Sequence, residues 1–306
     1  MYLSVIGGAT VDISGFSVAK LIAKDSNPGR ITICCGGVAR NIAENLARLG
    51  VETRLLTIVG RDAYGDMILD NCRECGLNCS MVEVRDDLAT SIDLALHDEV
   101  GEMVLSISQM ETAERLNSEF IDRHEETITN SAAIVLDTNL SQNCIEYIVK
   151  RFAGIDILVD AVAFNKARKI ECVLDHLHTV KMNELEAQAL VGREIRGARD
   201  VESACRELLQ RGLSRVFVSC GADGVFAADD SGLIRLSAPP VSVVNDRGAG
   251  DAFMAGVVYS YVNDYSMAST TRFAMAAARL TLSHEKTVNP DLSIEAITRT
   301  LEEFGN

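Results

Sequence analysis

The stretch NDRGAGDAF, residues 245–253, sets three small residues, Gly248, Ala249 and Gly250, directly before an acid, Asp251. The apolar run FMAGVVYSYV follows, long enough for a helix. Consecutive backbone N–H groups at a helix N-terminus suit a negative oxygen. A carboxylate in the same place repels a bound anion, so anion binding alone does not account for Asp251. A base does. If the amides hold a phosphoryl group, Asp251 can take the proton of a hydroxyl that attacks it. The competing reading is an acid that completes a helix start, favourable with the dipole. A Walker-type loop is excluded, because Asp and Ala stand where that loop carries Lys and Ser/Thr. A dinucleotide-binding turn fits poorly too: it follows the first strand, and this turn lies about four-fifths of the way along the chain.

A base and an anion hole need a rigid frame. LSVIG (3–7) reads as a buried strand stopped by Gly7 and Gly8. In GGVARNIAENLARLG (36–50) the spacing turns helical, with Val38, Ile42, Leu46 and Leu49 on one face and Gly50 as the stop. TRLLTIVG (53–60) is strand-like and YGDMILDNCRECG (64–76) helical. The alternation runs on through AAIVLD (132–137), CIEYIVKRF (144–152), DILVD (156–160), HTVKM (178–182), DVESACRELLQRG (200–212) and RVFVSCG (215–221). This is the pattern of an α/β fold, a mostly parallel sheet covered by helices on both faces. Residues 12–35 and 90–109 break the rhythm with short β-like pieces and a Glu-Val-Gly-Glu turn. They predict one small β-sheet standing off the body as a lid, with 1–11, 36–89 and 110–306 as the core. After residue 251 the chain reads as three apolar-faced helices ending at Phe304. No repeat or Pro-rich linker calls for a second independent domain.

With 47% hydrophobic and 24% charged residues over 306 positions, the chain has ample material for a core. A net charge of −15 argues against nucleic-acid or acidic-membrane partners, which need clustered Lys and Arg. The N-terminus MYLSVIGGAT shows no export leader, so a cytoplasmic chain is expected. Of nine cysteines, Cys72, Cys75 and Cys79 lack a fourth ligand for zinc and read as small buried hydrophobes. Cys34 and Cys35 leave a strand on opposite faces and read as inert.

Gly36, Gly37, Ala39, Asn41, Ala43, Gly50 and Gly60 stand at set intervals, GRDAYG follows, and GAGDAFMAG closes the set. Together they resemble both hallmarks of the ribokinase-like carbohydrate kinases of phosphofructokinase-B type. GGATVD near the start, KMNELE (181–186) and VSCGADGVF (218–226) occur in the expected order, so the resemblance covers essentially the whole chain. DSNPGRI (25–31) and NPDLSI (289–294) look like the bacterial pseudouridine-kinase branch of that family. The resemblance implies a three-layer α/β/α core with a small β lid. It also implies ATP- and Mg²⁺-dependent phosphorylation of a nucleoside 5′-hydroxyl, pseudouridine first. Ribose, another nucleoside, or nucleoside sensing without turnover are the alternatives.

Roles follow from the resemblance position by position. Asp251 becomes the catalytic base, and Gly248, Ala249 and Gly250 the anion hole for charge developing on the transferred group. Asp12, Gly36, Gly37 and Asn41 match sugar-binding positions, where hydroxyls need acceptors and bare backbone lets a ring approach. As plain structure, Asp12 is a turn residue and Asn41 a polar helix residue. Asn183 and Glu186 match an N-x-x-E pair that organises Mg²⁺ and phosphates through water, and also look like a capping box. Ser219, Gly221 and Gly224 resemble nucleotide contacts at a strand end, or form a simple turn. Asn139 is a candidate at the floor of the cleft. In the lid, Asn27, Thr90 and Ser91 are candidates for reading the base, since uracil joined through carbon carries an extra ring N–H; a surface-polar role is the alternative.

One segment departs from the family pattern. Many relatives carry Asp-Thr-Thr or Asn-Val-Thr before GAGD, and the flanking positions help bind a monovalent cation there. This chain has Asn245, Asp246 and Arg247. The guanidinium is expected to replace the cation in part, making K⁺ activation weak, unless Asp246 ties it up in a surface pair. Lids of this family often pair, so a homodimer through the lid is expected.

Overall fold

LSVI, IVLD, ILVD and TVKM are short apolar runs without strict alternation, as strands covered on both faces require. The computed structural model describes residues 1–304 and sets these four runs side by side in an eight-stranded sheet. In chain order the strands are β1 (Leu3–Ile6), β2 (Thr10–Ser17), β3 (Gly29–Gly36), β4 (Thr53–Leu56), β5 (Ile58–Gly60), β6 (Glu83–Arg85) and β7 (Ile92–His97). Then come β8 (Met103–Gln109), β9 (Ile134–Asp137), β10 (Ile157–Asp160), β11 (Thr179–Asn183), β12 (Arg215–Ser219), β13 (Val225–Asp229) and β14 (Gly232–Leu236). The large sheet runs β14-β13-β12-β11-β10-β9-β1-β4, parallel from β4 to β12 and antiparallel over the last two pairings.

The helices are α1 (Val38–Arg48), α2 (Ala63–Glu74), α3 (Glu111–Glu114), α4 (Ser118–Arg123), α5 (Glu125–Thr129), α6 (Gln142–Arg151), α7 (Phe164–Ala167) and α8 (Glu184–Val191). They continue as α9 (Ala198–Gln210), α10 (Ala249–Val262), α11 (Met267–Leu282) and α12 (Ile294–Phe304). Alternate strand residues divide between two layers. Leu3, Val5, Val135 and Leu158 pack on Ile42 and Leu46 of α1, Ile68 of α2 and Val258 of α10. Ile6, Leu136, Val159 and Val216 pack on Ile145 of α6, Leu190 of α8 and Leu208 of α9. Each such side chain contributes roughly 1.5–3 kcal/mol on leaving water, so the layers hold the strand ends rigidly. Among the described residues no helix is long and apolar enough to cross a membrane.

The second sheet runs β3-β2-β7-β8. Its register sorts side chains by chemistry. Asp12, Ser14 and Phe16 share one face with Thr32, Cys34, Asp93, His97, Ser106 and Ser108. The opposite face carries Ile31, Ile33, Leu94, Leu96, Leu105 and Ile107, all exposed. Between this sheet and the body lies an open cleft of about 1490 Å³, lined on the lid side by Ser14, Phe16, Arg30 and His97.

Some elements differ from expectation. TRLLTIVG is two strands: β4 joins the large sheet, whereas β5 pairs with β6 in a separate two-stranded sheet. The break falls at Thr57, whose hydroxyl donates to the Gly7 carbonyl at 2.7 Å. The hairpin β13–β14 extends the sheet where the sequence showed only a glycine-rich end. All nine cysteines are free. Cys72 is fully buried and burial pushes its thiol up to about 12, a packing residue in effect, while Cys75 and Cys79 are only half-buried.

Candidate active site

Helix α10 begins at the carboxyl end of the sheet because Gly248 turns the chain into it. That residue has φ of 78°, and a Cβ there would stand 1.9 Å from the Thr287 carbonyl oxygen, so only glycine fits. Asp251 follows in the first turn, buried. Its Oδ2 accepts from Asn41 Nδ2 at 2.7 Å. Burial pushes the carboxyl up to about 7 and Asp160 adds to the rise, opposed by the Asn41 hydrogen bond and by Lys181. An acid held there exchanges its proton near neutrality, which suits a general base.

Lys181, in the middle of β11, was not anticipated. Its ammonium lies 3.0 Å from Asp160 Oδ2 and directly below the turn, so that a Cβ on Gly250 would come within 2.7 Å of it. Burial works against its charge, but Asp160, Glu186 and Asp251 outweigh that and hold it above the ordinary lysine range. The turn therefore offers amides and an ammonium together, a strong arrangement for an anionic oxygen. Asp137 ends β9 and accepts from the backbone N–H of Gly8 at 3.0 Å and of Ala39 at 2.8 Å, fastening α1 to the sheet.

Asp12 lies across the cleft against Gly36, where a Cβ would collide with its carboxyl at 2.2 Å. Burial raises its pKa, although the Thr10 hydroxyl donates to it at 2.8 Å and Arg247 stands near. Gly37, with φ of 91°, lets α1 start beside the Gly8 carbonyl, 2.4 Å from where its Cβ would be. The structure thus brings Asp12, Gly36, Gly37, Asn41 and Asp251 of the 248–251 turn close together, Asp12 against Gly36 and Arg247, and Asn41 against Asp251.

On the other side of the turn, Asn183 and Glu186 form a complete capping box for α8. Glu186 N–H donates to Asn183 Oδ1 at 2.9 Å, and Asn183 N–H to Glu186 Oε2 at 2.8 Å. Ser219 pairs with Asn183 in register, and its hydroxyl reaches the Met182 carbonyl at 3.4 Å. Gly221 and Gly224 make the turn between β12 and β13, where Gly224 clears the Leu236 carbonyl. Among the described residues no three His, Cys, Asp or Glu side chains gather to hold a metal directly. The pair Asn183–Glu186, spent on each other, suits only an outer role around a hydrated cation.

Four candidates stand elsewhere. Thr90 is buried, its hydroxyl donating to Asp62 Oδ1 at 2.7 Å and accepting from Gly60 N–H at 2.9 Å. Ser91 is buried against the Thr112 hydroxyl at 2.6 Å. Both hydroxyls are thus engaged in the joint below the lid, buried away from its polar face. Asn27 spends its amide on its own loop, accepting from Ile22 N–H at 2.8 Å. Asn139 accepts from Lys166 at 2.6 Å. Arg247 also differs from expectation: its guanidinium lies 4.0 Å from Asp12 Oδ2, across the cleft, and not against its neighbour Asp246. Its backbone N–H donates to Asn245 Oδ1, while Asn245 Nδ2 donates to the Glu285 carbonyl at 2.9 Å.

The signal for Asp160 and Asp137 was an acid at the carboxyl end of an otherwise apolar strand, where ligands of parallel sheets bind; Lys181, inside its strand, gave none. Buried Arg40, hydrogen-bonded to Asn41, gave no such signal.

Residues 2–294 match the pfkB family of carbohydrate kinases. The chain is 38% identical over 302 residues to the pseudouridine kinase of Escherichia coli K12, covering 98% of this chain and 96% of that one. It is 27% identical over 297 residues to a guanosine-inosine kinase of Exiguobacterium acetylicum, covering 95% and 97%. The ribokinase of Arabidopsis thaliana, solved with ribose and ATP, superposes with a TM-score of 0.87 at 22% identity, covering 98% of each chain.

Proposed function

The chain belongs to the pfkB family of carbohydrate kinases, and from that membership we propose that it phosphorylates pseudouridine on its 5′-hydroxyl, giving pseudouridine 5′-phosphate and ADP. It is an ATP-dependent sugar or nucleoside kinase. Pseudouridine as the acceptor is our reading, supported by the 38% identity to a kinase of that nucleoside and by the DSNPG segment of the lid.

The observation that carries the mechanism is Asp251, buried in the first turn of α10 and held near neutrality beside the 248–250 amides. Asp251 takes the hydroxyl proton as that oxygen attacks the γ-phosphorus, and the bond from phosphorus to the departing ADP oxygen breaks. Amides of the turn and the Lys181 ammonium receive charge building on the transferred group. Asp12 and Asn41 hold ribose hydroxyls, and the Gly36–Gly37 backbone lets the ring approach. Ser219, Gly221 and Gly224 flank the nucleotide. Asn183 and Glu186 would hold Mg²⁺ from its outer sphere, and the ion would supply neutralisation of phosphate charge. The base is read from the polar face of the lid, by side chains other than Thr90 and Ser91. Two chains pair through the apolar faces of their lids.

The test is ADP release with Mg²⁺–ATP and pseudouridine, uridine, inosine or ribose, beside Asp251→Asn. Turnover should favour pseudouridine and fall about 10²–10⁴-fold in the variant. A second reading, a kinase of another nucleoside, is favoured by the likeness to the guanosine-inosine kinase. Preference for inosine would establish it and leave the mechanism intact. Binding of all four without turnover would point to a sensor.

A further inference from the structure

We propose that Arg40 is a positioning residue, whose buried guanidinium locks the Asn41 amide with its nitrogen toward Asp251. The proposal rests on Asp251 being the base.

Arg40 sits in the first turn of α1, yet is 1% exposed. Its Nε donates to the Gly36 carbonyl at 3.1 Å and Nη2 to the Cys35 carbonyl at 3.0 Å, where β3 leaves the lid. Nη1 donates to Asn71 Oδ1 of α2 at 2.6 Å and to Glu44, and Nη2 also donates to Asn41 Oδ1. Guanidinium has five N–H donors and no acceptor. Whatever faces it must be oxygen, so the end of the Asn41 amide turned to Arg40 is Oδ1. The opposite end, Nδ2, then faces Asp251 Oδ2 at 2.7 Å. Without that lock the amide is free to turn over while Asp251 carries its proton, and its oxygen then opposes ionisation of that carboxyl.

Packing alone does not account for this side chain. Its charge is matched by Glu44, which also holds Arg48 at 2.6 Å. A buried ion pair is often no more stabilising than apolar residues of equal size. What an apolar residue could not supply is the orientation of Asn41.

Groups facing Asp251 come from several elements: Asn41 from α1, Asp137 from β9, Asp160 from β10 and Lys181 from β11. The two acids disfavour its ionised form; Lys181 and Asn41 favour it. Releasing Asn41 removes a donor, so the base ionises at higher pH.

The experiment compares pH profiles of kcat/KM, with melting curves, for Arg40→Met, Arg40→Lys, Asn71→Ala, Asn41→Ala, Asp251→Asn and the Arg40→Met/Asn41→Ala double variant. Arg40→Met should lower kcat about tenfold through misorientation, with KM for ATP unchanged. Its acid limb should move to higher pH by about half a unit. Arg40→Lys, keeping a donor, should recover part of the shift. The double variant should be no worse than Asn41→Ala alone. If Arg40→Met does not fold, Asn71→Ala, which removes one partner of Nη1, should show a smaller shift in the same direction. An unmoved acid limb in folded Arg40→Met, or in Asn71→Ala, or losses that add in the double variant, would overturn the proposal. Asp251→Asn separates the two failures: if it is inactive while the Arg40 variants keep the parent profile, only the role of Arg40 falls. If it turns over normally, the base assignment falls and takes this role with it.

Discussion

Asp251 shows how a residue can be costly to the fold and useful to the reaction. Burial and Asp160 lift its pKa from the ordinary value of 3.8 to about 7. A carboxyl acting as base must be ionised, so kcat/KM should climb with pH through about 7 and flatten above it. A profile already flat at pH 5 would exclude Asp251 as the titrating base. The same shift has a sign for stability. The folded state prefers the proton more than the unfolded state does, so stability present at low pH is lost as pH rises through the folded value. Asp251→Asn, which carries no charge to bury, should melt several degrees above the parent at pH 8. The gap should narrow as pH falls below about 7 and close only near the ordinary value of 3.8. An equal gap at both pH values would mean that the raised pKa is not the cause.

Among elements, the loop that enters α10 is the most telling. Asn245 gives its amide proton to the Glu285 carbonyl, and Arg247 turns toward Asp12. An oxygen that could have ligated a monovalent cation is thus already paired. Turnover in buffer free of K⁺ and Na⁺ should stay within about threefold of that in K⁺, given how weakly a paired carbonyl competes; tenfold activation by K⁺ would contradict this. How much of the site was legible follows the same division between local and distant causes. Strands β1 and β9 to β12, helices α1 and α9, and Asp251 in its glycine turn were readable because their periodicity and turn chemistry are local. Lys181 was hidden inside HTVKM, which reads as an apolar strand until its neighbours Asp160 and Gly250 are known. Thr90 and Ser91 look like surface polars, and only Asp62 and Thr112, far along the chain, show them to be spent. Arg40 falls in a helix whose apolar stripe is carried by Ile42 and Leu46, and nothing nearby says that a guanidinium turns inward.

For the whole molecule, the lid sets two chemistries back to back. The polar face looks into the cleft, and the other presents Ile31, Leu105 and Ile107, exposed by 70%, 52% and 61%. A contiguous apolar sheet face is rarely left to water, and a second lid offers the same surface in mirror order of contacts. Sedimentation should therefore find dimers at micromolar concentration. Leu105→Lys with Ile107→Lys should give monomers of unchanged fold whose KM for the nucleoside is raised, since the lid loses its brace. A parent that sediments as a monomer would refute the pairing. If the brace is real, each chain's capacity depends on how many of its fellows are present. Dilution would then act as an inhibitor, and activity would fall more steeply than the amount of protein.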